Sequence, residues 1–412
     1  MLAMPITHFL IVFFMQQGIG NIVIAGGGYA GVTATRLIAR FQRANPTLKE
    51  AYRLIVIDHS DRHRLAFRYT SALCADPAMS AKQLIQSMSI PFKNIFTRES
   101  DEIILVQSAI TAIDPDNYVL YLKDNDPIEY VYLIVALGSE SWFGNVSNAS
   151  RCCFSLSSMQ DVFRMRARLN TLLRAKIVSN ITIIGAGMMG CDIAGALACH
   201  PMKKKFPLSI TLIEQQDRVV PYLPLHVSSC ISKRLSRLGV RVMTGTSVEA
   251  VNKGTVLLKT EEAVLSDMTL WTGGTRPPAC IRSLPFEHDD LGRVYVNEYL
   301  QARPDMLILG TNAHMRSVLG DRVPVYSDTT IRQGRYAAYA VDQFTRHASP
   351  PFPFPAKLQR YRIPIGDSWA LYYRWGLYVS GMLGCVATKL SRARYLVHIM
   401  GIIRLFSRLF SS

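Results

Sequence analysis

The sequence predicts an α/β protein with two doubly wound, parallel-sheet domains and an amphipathic helical tail. The glycine pattern G-x-G-x-x-G occurs twice, in IVIAGGGYAG at residues 22–31 and in ITIIGAGMMG at residues 181–190. Each pattern follows a β-branched run and precedes a second apolar run ending in an acid, Asp58 or Glu214. This order of strand, turn, helix, strand and acid is typical of Rossmann-like domains that bind dinucleotides. A basic, apolar C-terminal stretch predicts the tail.

The composition narrows the class of protein further. Apolar residues make up 49% of the 412 residues, enough for a core without disulfides. The eight cysteines include no C-x-x-C and no Cys/His cluster with zinc spacing, so no metal site is expected. The net charge of +16 suits nucleic acid, a membrane surface or an anionic ligand. Nucleic acid is disfavoured because no recognition module or basic–aromatic groove pattern occurs.

The predicted regions are interleaved along the chain. The first domain comprises residues 21–150 and 283–348, the second residues 151–282, and the tail residues 349–412. Residues 1–20 form an apolar extension whose HFLIVFFM run is shorter than the roughly 20 residues that span a bilayer. Two interpretations of this extension stay open. In one it is a surface anchor, and in the other it lies upstream of the true translation start, at Met15.

Three glycines of the first pattern have separate roles in the predicted dinucleotide site. Gly26 makes the tight turn after the strand, Gly28 lets the backbone approach a pyrophosphate, and Gly31 lets the next helix pack closely on the sheet. The start of that helix directs free N–H groups at the phosphates. Asp58 is expected to accept hydrogen bonds from the ribose hydroxyls.

Two later segments are expected to complete the first site. IEYVYLIVALGS is a buried strand followed by small residues, and Ala136 and Gly138 there allow backbone to approach a cofactor. After the second domain, RPDMLILG is expected to return as a buried strand that ends at Gly310 and Thr311.

The second domain repeats this plan with Gly185, Gly187 and Gly190, and WTGG places Gly273 where the first domain has Gly138. A carboxylate at Glu214 favours the ribose diol of NADH and repels the 2′-phosphate of NADPH. Arg218 lies nearby in sequence and softens that preference.

The tail is predicted to lie on a membrane surface. Read as a helix, its last part puts bulky apolar residues on one face, and basic residues accompany them without any acid. The apolar face comprises Leu396, Ile399, Ile403, Phe406 and Phe410. This pattern is typical of an interfacial anchor on an anionic leaflet.

The sequence leaves two alternatives for the tail. A helix docked on its own domain, or at the seam of a homodimer, is the competing explanation of the apolar face. A single membrane-spanning helix is disfavoured because Arg374 interrupts the apolar stretch 368–388. A charge near the bilayer centre costs about 2.5–3.5 kcal/mol.

These motifs, in this order, resemble the two-dinucleotide-binding flavoproteins, and within them the type II NADH:quinone oxidoreductases. The resemblance covers residues 20–345 and is most specific in VALGS with CCFSLSSMQDVFRMRARLN, and in ITLIEQQDRVVPYLPLHVSSCISKRLSRLGVRV. It implies FAD in the first domain, NADH in the second, and a quinone reached from the membrane. A peripheral location on the cytoplasmic face of the cell's inner membrane follows. Disulfide reductases are set aside because the redox C-x-x-C is absent.

The chain departs from the family pattern on the flavin and quinone side. Thr311 stands where the family has an aspartate, and Thr329-Thr330 replaces an A-Q segment. The resemblance makes Asp192, a shorter carboxylate than the family's glutamate, a candidate polar group near the nicotinamide–flavin junction. Its alternative role is a hydrogen bond at the helix start. Gln333 is a candidate on the quinone side, with a polar surface position as its alternative.

Two further functions remain open at the level of sequence. In the first, the electrons pass to a protein or a soluble oxidant rather than to a quinone. In the second, the chain binds NADH at a membrane without catalysis. Both hypotheses arise from the changes at Thr311 and Thr329.

Overall fold

The computed structural model describes residues 19–99, 101–175, 178–200, 208–316, 323, 325–346, 348, 350, 352–356, 360–374 and 376–401. Two mainly parallel sheets, each flanked by helices, form its centre, which confirms the predicted α/β class.

The first sheet has six strands, which come from both parts of the predicted first domain. Across the sheet they are Gln301–Arg303, Met306–Ile308, Tyr132–Val135, Gly20–Ala25, Tyr52–Asp58 and Ile103–Gln107. All neighbours are parallel except the hairpin formed by the first two. The central strands are nearly continuous runs of Ile, Val and Leu, because helices cover both faces of a parallel sheet.

The second sheet is parallel throughout and repeats the first on a smaller scale. Its strands, in order, are Cys153–Phe154, Met268–Trp271, Ser179–Ile184, Leu208–Ile213 and Val240–Met243. Each domain also carries a three-stranded antiparallel sheet, which precedes strand Tyr132–Val135 in the first domain and strand Met268–Trp271 in the second. These sheets comprise Ile110–Asp114, Val119–Leu122 and Asn125–Glu129 in the first domain, and Val248–Asn252, Gly254–Leu258 and Ala263–Ser266 in the second.

Helices of very different length surround the sheets. The long ones are Tyr29–Ala44, Met159–Arg174, Met188–Ala198, Leu225–Arg237, Ser327–Thr345 and Gly381–Met400. The short ones are Pro46–Ala51, Tyr69–Leu73, Ala81–Met88, Phe92–Ile95, Ala149–Cys152 and Ala279–Arg282. Helix Met159–Arg174 begins at a capping box in which the Ser158 hydroxyl accepts from the Asp161 N–H and the Asp161 carboxylate accepts from the Ser158 N–H.

The C-terminal region contains a sheet that the sequence analysis missed. Strands Arg360–Pro364, Ala370–Arg374 and Leu377–Val379 form an antiparallel sheet packed on helix Met188–Ala198. The approach is close: a side chain at Gly195 would clash with Ile365. Strand Arg360–Pro364 does alternate, with Tyr361 and Ile363 buried. The other two strands are nearly all apolar or aromatic, which hides a two-residue alternation.

The tail helix, Gly381–Met400, docks on the first domain with one face. Tyr395, Leu396 and Ile399 belong to the first domain's core, and Ile399 has 0% of its surface exposed. The prediction that Leu396 and Ile399 face a membrane is therefore wrong. Apolar periodicity shows that a face is buried, but it does not show which partner buries it. Ile403, Phe406 and Phe410 lie outside the described residues.

The opposite face of the tail helix is apolar and open to solvent. We define the exposed tail surface as Leu377, Val379, Met382, Leu383, Val386 and Leu390, all of which are exposed. Met382 and Leu383 have 74% and 73% of their surface exposed. In the part of the chain that the structure describes, no helix has the length and hydropathy needed to cross a bilayer.

Candidate active site

The first glycine pattern forms a turn that no larger residue fits. Gly26 has φ +106°, and its N–H donates to the Ile57 carbonyl at 2.8 Å. A side chain at Gly26 would clash with the carbonyl oxygen of Ala136, and one at Gly31 would clash with the carbonyl oxygen of Gly26. These two glycines are required by packing alone, whether or not a ligand binds.

Gly28 differs because the space above it is open. It precedes helix Tyr29–Ala44 with φ −74°, which any residue adopts, and no side chain caps the helix start. The nearest atom to a Cβ built on Gly28 is the Ala136 oxygen, at 4.0 Å. An uncapped helix N-terminus beneath open space is a cradle for a phosphate group.

Asp58 supports this cradle from the end of its strand. Its two carboxylate oxygens accept hydrogen bonds from the Gly27 N–H at 2.8 Å and the Ser60 N–H at 2.9 Å. Each oxygen has a second acceptor position. The carboxylate can therefore hold the turn and still receive the hydroxyls of a ribose.

The second glycine pattern repeats these contacts bond for bond. The Gly185 N–H donates to the Ile213 carbonyl at 2.8 Å, and a side chain at Gly190 would clash with the Gly185 oxygen. Glu214 accepts from the Ala186 N–H at 2.7 Å and the Gln216 N–H at 3.0 Å. The duplication predicted from sequence thus extends to individual hydrogen bonds, and both sites fit a dinucleotide.

One polar group already lies at the second helix start. The Tyr222 hydroxyl accepts a hydrogen bond from the Met188 N–H at 3.1 Å, and its ring packs against Tyr326 with 5.8 Å between centroids. Burial raises the pKa of Tyr222 to about 12, so the hydroxyl stays neutral at physiological pH. Next to it, Gly187 leaves its Cβ position 3.9 Å from this hydroxyl.

Gly273 lies where the repeat predicts, against the second turn. A Cβ on Gly185 would lie 2.8 Å from the backbone of Gly273, and the Thr272 hydroxyl donates to the Gly185 carbonyl at 2.7 Å. The chain therefore closes over the glycine turn in the second domain as it does at Ala136 in the first.

Asn312 completes the first site and was missed by the sequence analysis. It is fully buried, accepts from the Leu137 N–H at 2.9 Å and donates to the Gly138 carbonyl at 2.7 Å. It thereby ties the turn Gly310–Asn312, which includes Thr311, to the turn after the strand Tyr132–Val135. The only signal in the sequence was its position beside Thr311.

Gln333 has a well-defined structural contact. With 1% of its surface exposed, its side-chain oxygen accepts from the Gly310 N–H at 2.9 Å. The alternative of a polar surface position is therefore wrong. Gln333 shapes the Gly310 turn, and a role toward quinone stays a prediction.

A cavity of about 80 Å³ lies between the two glycine patterns and the tail helix. Tyr29 and Met188, the first residues of the two pattern helices, both line it. The cavity also has three cationic and four further aromatic side chains: Arg360, Arg362, Arg392, Phe67, Tyr326, Tyr361 and Tyr395. The starts of the two pattern helices therefore meet at one positively charged, aromatic chamber.

Asp192 lies near this chamber in a low-polarity setting. It is partly buried and accepts from the Thr70 hydroxyl at 3.1 Å, so it bridges to the other domain and does not cap its own helix. Burial raises the pKa of Asp192 to about 7, against the opposing effect of the Arg392 charge. The carboxyl group can change protonation near neutral pH.

The tail helix contacts the first phosphate cradle through a histidine. The Tyr395 hydroxyl lies 2.9 Å from His63 Nε2, and His63 Nδ1 lies 3.0 Å from the Gly27 carbonyl. His63 therefore connects the glycine turn to the tail helix.

The adjacent cysteines are poorly suited to thiol chemistry. Cys152 and Cys153 are unpaired and partly buried, and burial raises the pKa of Cys153 to about 12. Because the thiolate is the reactive form, this setting does not favour a redox role.

Comparisons with known proteins agree with this geometry. The family model for pyridine nucleotide-disulphide oxidoreductases matches residues 20–319. Demethylphylloquinone reductase NdbB of Synechocystis sp. is 24% identical over 332 residues, covering 78% of this chain and 78% of that protein. The NADH dehydrogenase-like protein YutJ of Bacillus subtilis is 24% identical over 279 residues, covering 68% and 72%.

A solved structure supports the fold over nearly the whole chain. NDH2 from Plasmodium falciparum, determined in complex with NADH, superposes with a TM-score of 0.77 at 13% identity. The match covers 95% of this chain and 97% of that one.

Proposed function

The chain belongs to the pyridine nucleotide-disulphide oxidoreductase family, and from this premise we propose that it is an FAD-dependent NADH dehydrogenase that reduces a membrane quinone. The observation that carries the proposal is the shared cavity. Tyr29 from the first cradle and Met188 from the second both line it, so the two helix starts that would bind the nucleotides face one chamber.

FAD is assigned to the first cradle and NADH to the second. Gly26, Gly28, Gly31 and Asp58 would hold the ADP part of FAD, with Ala136, Gly138, Gly310 and Thr311 beside its other half. Gly185, Gly187, Gly190, Glu214 and Gly273 would hold NADH. FAD held by these residues would supply the redox chemistry between NADH and a quinone.

The chain's own residues supply electrostatics and a proton. Arg360, Arg362 and Arg392 line the cavity and would stabilise negative charge that arrives with the electrons. Asp192, with a pKa near 7, can hold or release a proton at its carboxyl oxygen.

The decisive experiment separates cofactor, donor and acceptor. Purified protein is expected to retain FAD, NADH is expected to bleach its visible absorption without oxygen, and a short-chain quinone is expected to restore it. Flavin that NADH reduces but no quinone reoxidises would contradict the quinone acceptor and favour a protein or soluble oxidant. A reconstituted protein that never binds flavin would contradict the FAD assignment.

Replacing Glu214 by Gln is expected to weaken the preference for NADH. Gln keeps an acceptor for one backbone N–H but removes the charge that repels a 2′-phosphate and binds the ribose diol. The ratio of kcat/KM for NADH over NADPH should fall at least about tenfold, the scale of one charge-assisted hydrogen bond. Exposed Asp217→Asn is the matched control, and an unchanged ratio in Glu214→Gln would contradict the assignment.

We further propose that the protein attaches peripherally to the cytoplasmic face of the membrane through the exposed tail surface. Six apolar side chains share this surface, with exposed Lys389 and Arg394 on the same helix. Apolar side chains flanked by basic ones are typical of interfacial helices. Such attachment would bring the cavity close to a lipid-soluble acceptor.

Leu383→Asp/Leu390→Asp is expected to abolish vesicle binding without unfolding the protein. Both side chains are exposed, so the change removes membrane contact and leaves the core intact. Each buried leucine is worth about 1.5–3 kcal/mol, which predicts at least a hundredfold loss in vesicle affinity. Deletion after residue 365 is a poorer test, since it also removes buried Ile399.

Sedimentation with phospholipid vesicles and thermal unfolding are the two measurements. The control is Leu265→Asp, an equally exposed leucine in the second antiparallel sheet. Vesicle binding that survives the double substitution would contradict attachment through the exposed tail surface.

A further inference from the structure

A second, larger cavity lies outside the nucleotide sites. Its volume is about 470 Å³, and it is bounded by helix Leu225–Arg237 and by the C-terminal sheet with the start of the tail helix. We call it the basic pocket and define it by His226, Lys233, Arg234, Arg237, Trp369 and Tyr378. None of the nucleotide-site residues lines it.

The charge of the basic pocket favours an anionic occupant. Lys233, Arg234 and Arg237 contribute three fixed positive charges, and the lining contains no carboxylate. None of the three forms an ion pair with a carboxylate among the residues that the structure describes. Three like charges on one side of a helix repel one another unless an anion lies between them.

The geometry of the pocket adds a directed donor. The Arg234 Nε atom is buried and has no hydrogen-bond partner among the described residues. Its guanidinium carbon lies 5.9 Å from the centroid of the Trp369 ring, which holds the group in place. On the other side, the His226 ring stacks on Tyr378 at 5.5 Å. A planar guanidinium with a free donor binds phosphate oxygens well.

The pocket adjoins the exposed tail surface. Tyr378 lies between Leu377 and Val379, and Ser380 leads directly to Met382 and Leu383, all on the exposed tail surface. The cationic pocket and the exposed apolar surface are therefore continuous. A molecule with a phosphate beside acyl chains matches both.

We propose that the basic pocket binds the phosphate headgroup of an anionic phospholipid, while the exposed tail surface contacts its acyl chains. The inference rests on the proposed membrane attachment and deepens it. It turns a general affinity for a bilayer into recognition of one lipid class. It also orients the chain on the membrane, because the pocket and the tail must face the bilayer together.

The test compares Lys233→Gln/Arg237→Gln with wild type on two kinds of vesicle. Vesicles of phosphatidylcholine alone are compared with vesicles containing phosphatidylglycerol, using the full chain. The variant is expected to bind the phosphatidylglycerol vesicles about 30-fold more weakly and the neutral vesicles as well as wild type does. Exposed Lys253→Gln/Lys259→Gln removes the same charge elsewhere and is expected to bind both as wild type does.

The outcomes separate this inference from the attachment itself. Equal binding of wild type and the pocket variant to phosphatidylglycerol vesicles would overturn the headgroup site alone. Equal losses in the pocket and control variants would also overturn it, since net charge would then be the cause. Tight binding of inorganic phosphate without any preference for phosphatidylglycerol vesicles would identify a soluble anion instead. Failure of wild type to bind either vesicle would overturn the attachment as well.

Discussion

A protein with Ala in place of Gly28 is expected to fold normally and to lose FAD. The backbone at Gly28 suits any residue, and a Cβ there lies 4.0 Å from its nearest neighbour, so nothing in the protein opposes the change. The new methyl group would occupy the space above the helix start, where the pyrophosphate of FAD must approach.

The loss should be large because it affects several bonds together. A phosphate held off the helix start loses charge-assisted hydrogen bonds worth about 1.5–3 kcal/mol each. Flavin affinity should fall at least about a hundredfold, while the thermal midpoint of the apoprotein stays unchanged. Flavin content by absorbance and unfolding by circular dichroism measure the two quantities.

The equivalent change in the second domain provides the matched control. Gly187→Ala has the same open position, with 3.9 Å to the Tyr222 hydroxyl. It is expected to keep FAD and to raise the KM for NADH at least tenfold. Gly31→Ala should instead destabilise the fold, because its Cβ would clash with Gly26. If Gly28→Ala keeps FAD and Gly187→Ala loses it, the assignment of the two cradles is reversed.

The free energy of unfolding of Asp192→Asn minus that of wild type is expected to be larger at pH 8 than at pH 4. Burial raises the pKa of Asp192 to about 7 in the folded chain, whereas the unfolded chain has an ordinary carboxyl pKa near 3.9. Between these values the folded state binds more protons, so rising pH lowers wild-type stability. Asn removes this loss and can keep the hydrogen bond from Thr70.

The difference in unfolding free energy between Asp192→Asn and wild type should therefore grow from about pH 4 to pH 7. It should then level off at no more than about 4 kcal/mol. Urea unfolding across pH measures it, with exposed Asp217→Asn as the flat control. A difference that does not change with pH would contradict the raised pKa. If Asp192 also handles the proton of turnover, the variant's activity profile loses its transition near pH 7.

Much of the fold and of the two cradles could be predicted from sequence. The glycine patterns and their acids predicted a duplicated arrangement, and the hydrogen bonds of Asp58 and Glu214 reproduce it. These features are local, since a turn that excludes a side chain demands glycine wherever it occurs. The role of Asn312 could not be predicted because its two hydrogen bonds reach residues 175 and 174 positions away in the sequence.

The two glycine turns are predictable from local sequence, because backbone geometry restricts the residues at each turn. The environment of the tail's apolar residues depends instead on tertiary packing. Ile399 is buried in the first domain while Leu383 is exposed, although both lie on one helix. The tertiary structure alone also brought Tyr29, Met188 and Arg392 to one cavity. Burial depends on which distant surface lies opposite a side chain, and periodicity along the chain carries no information about that surface.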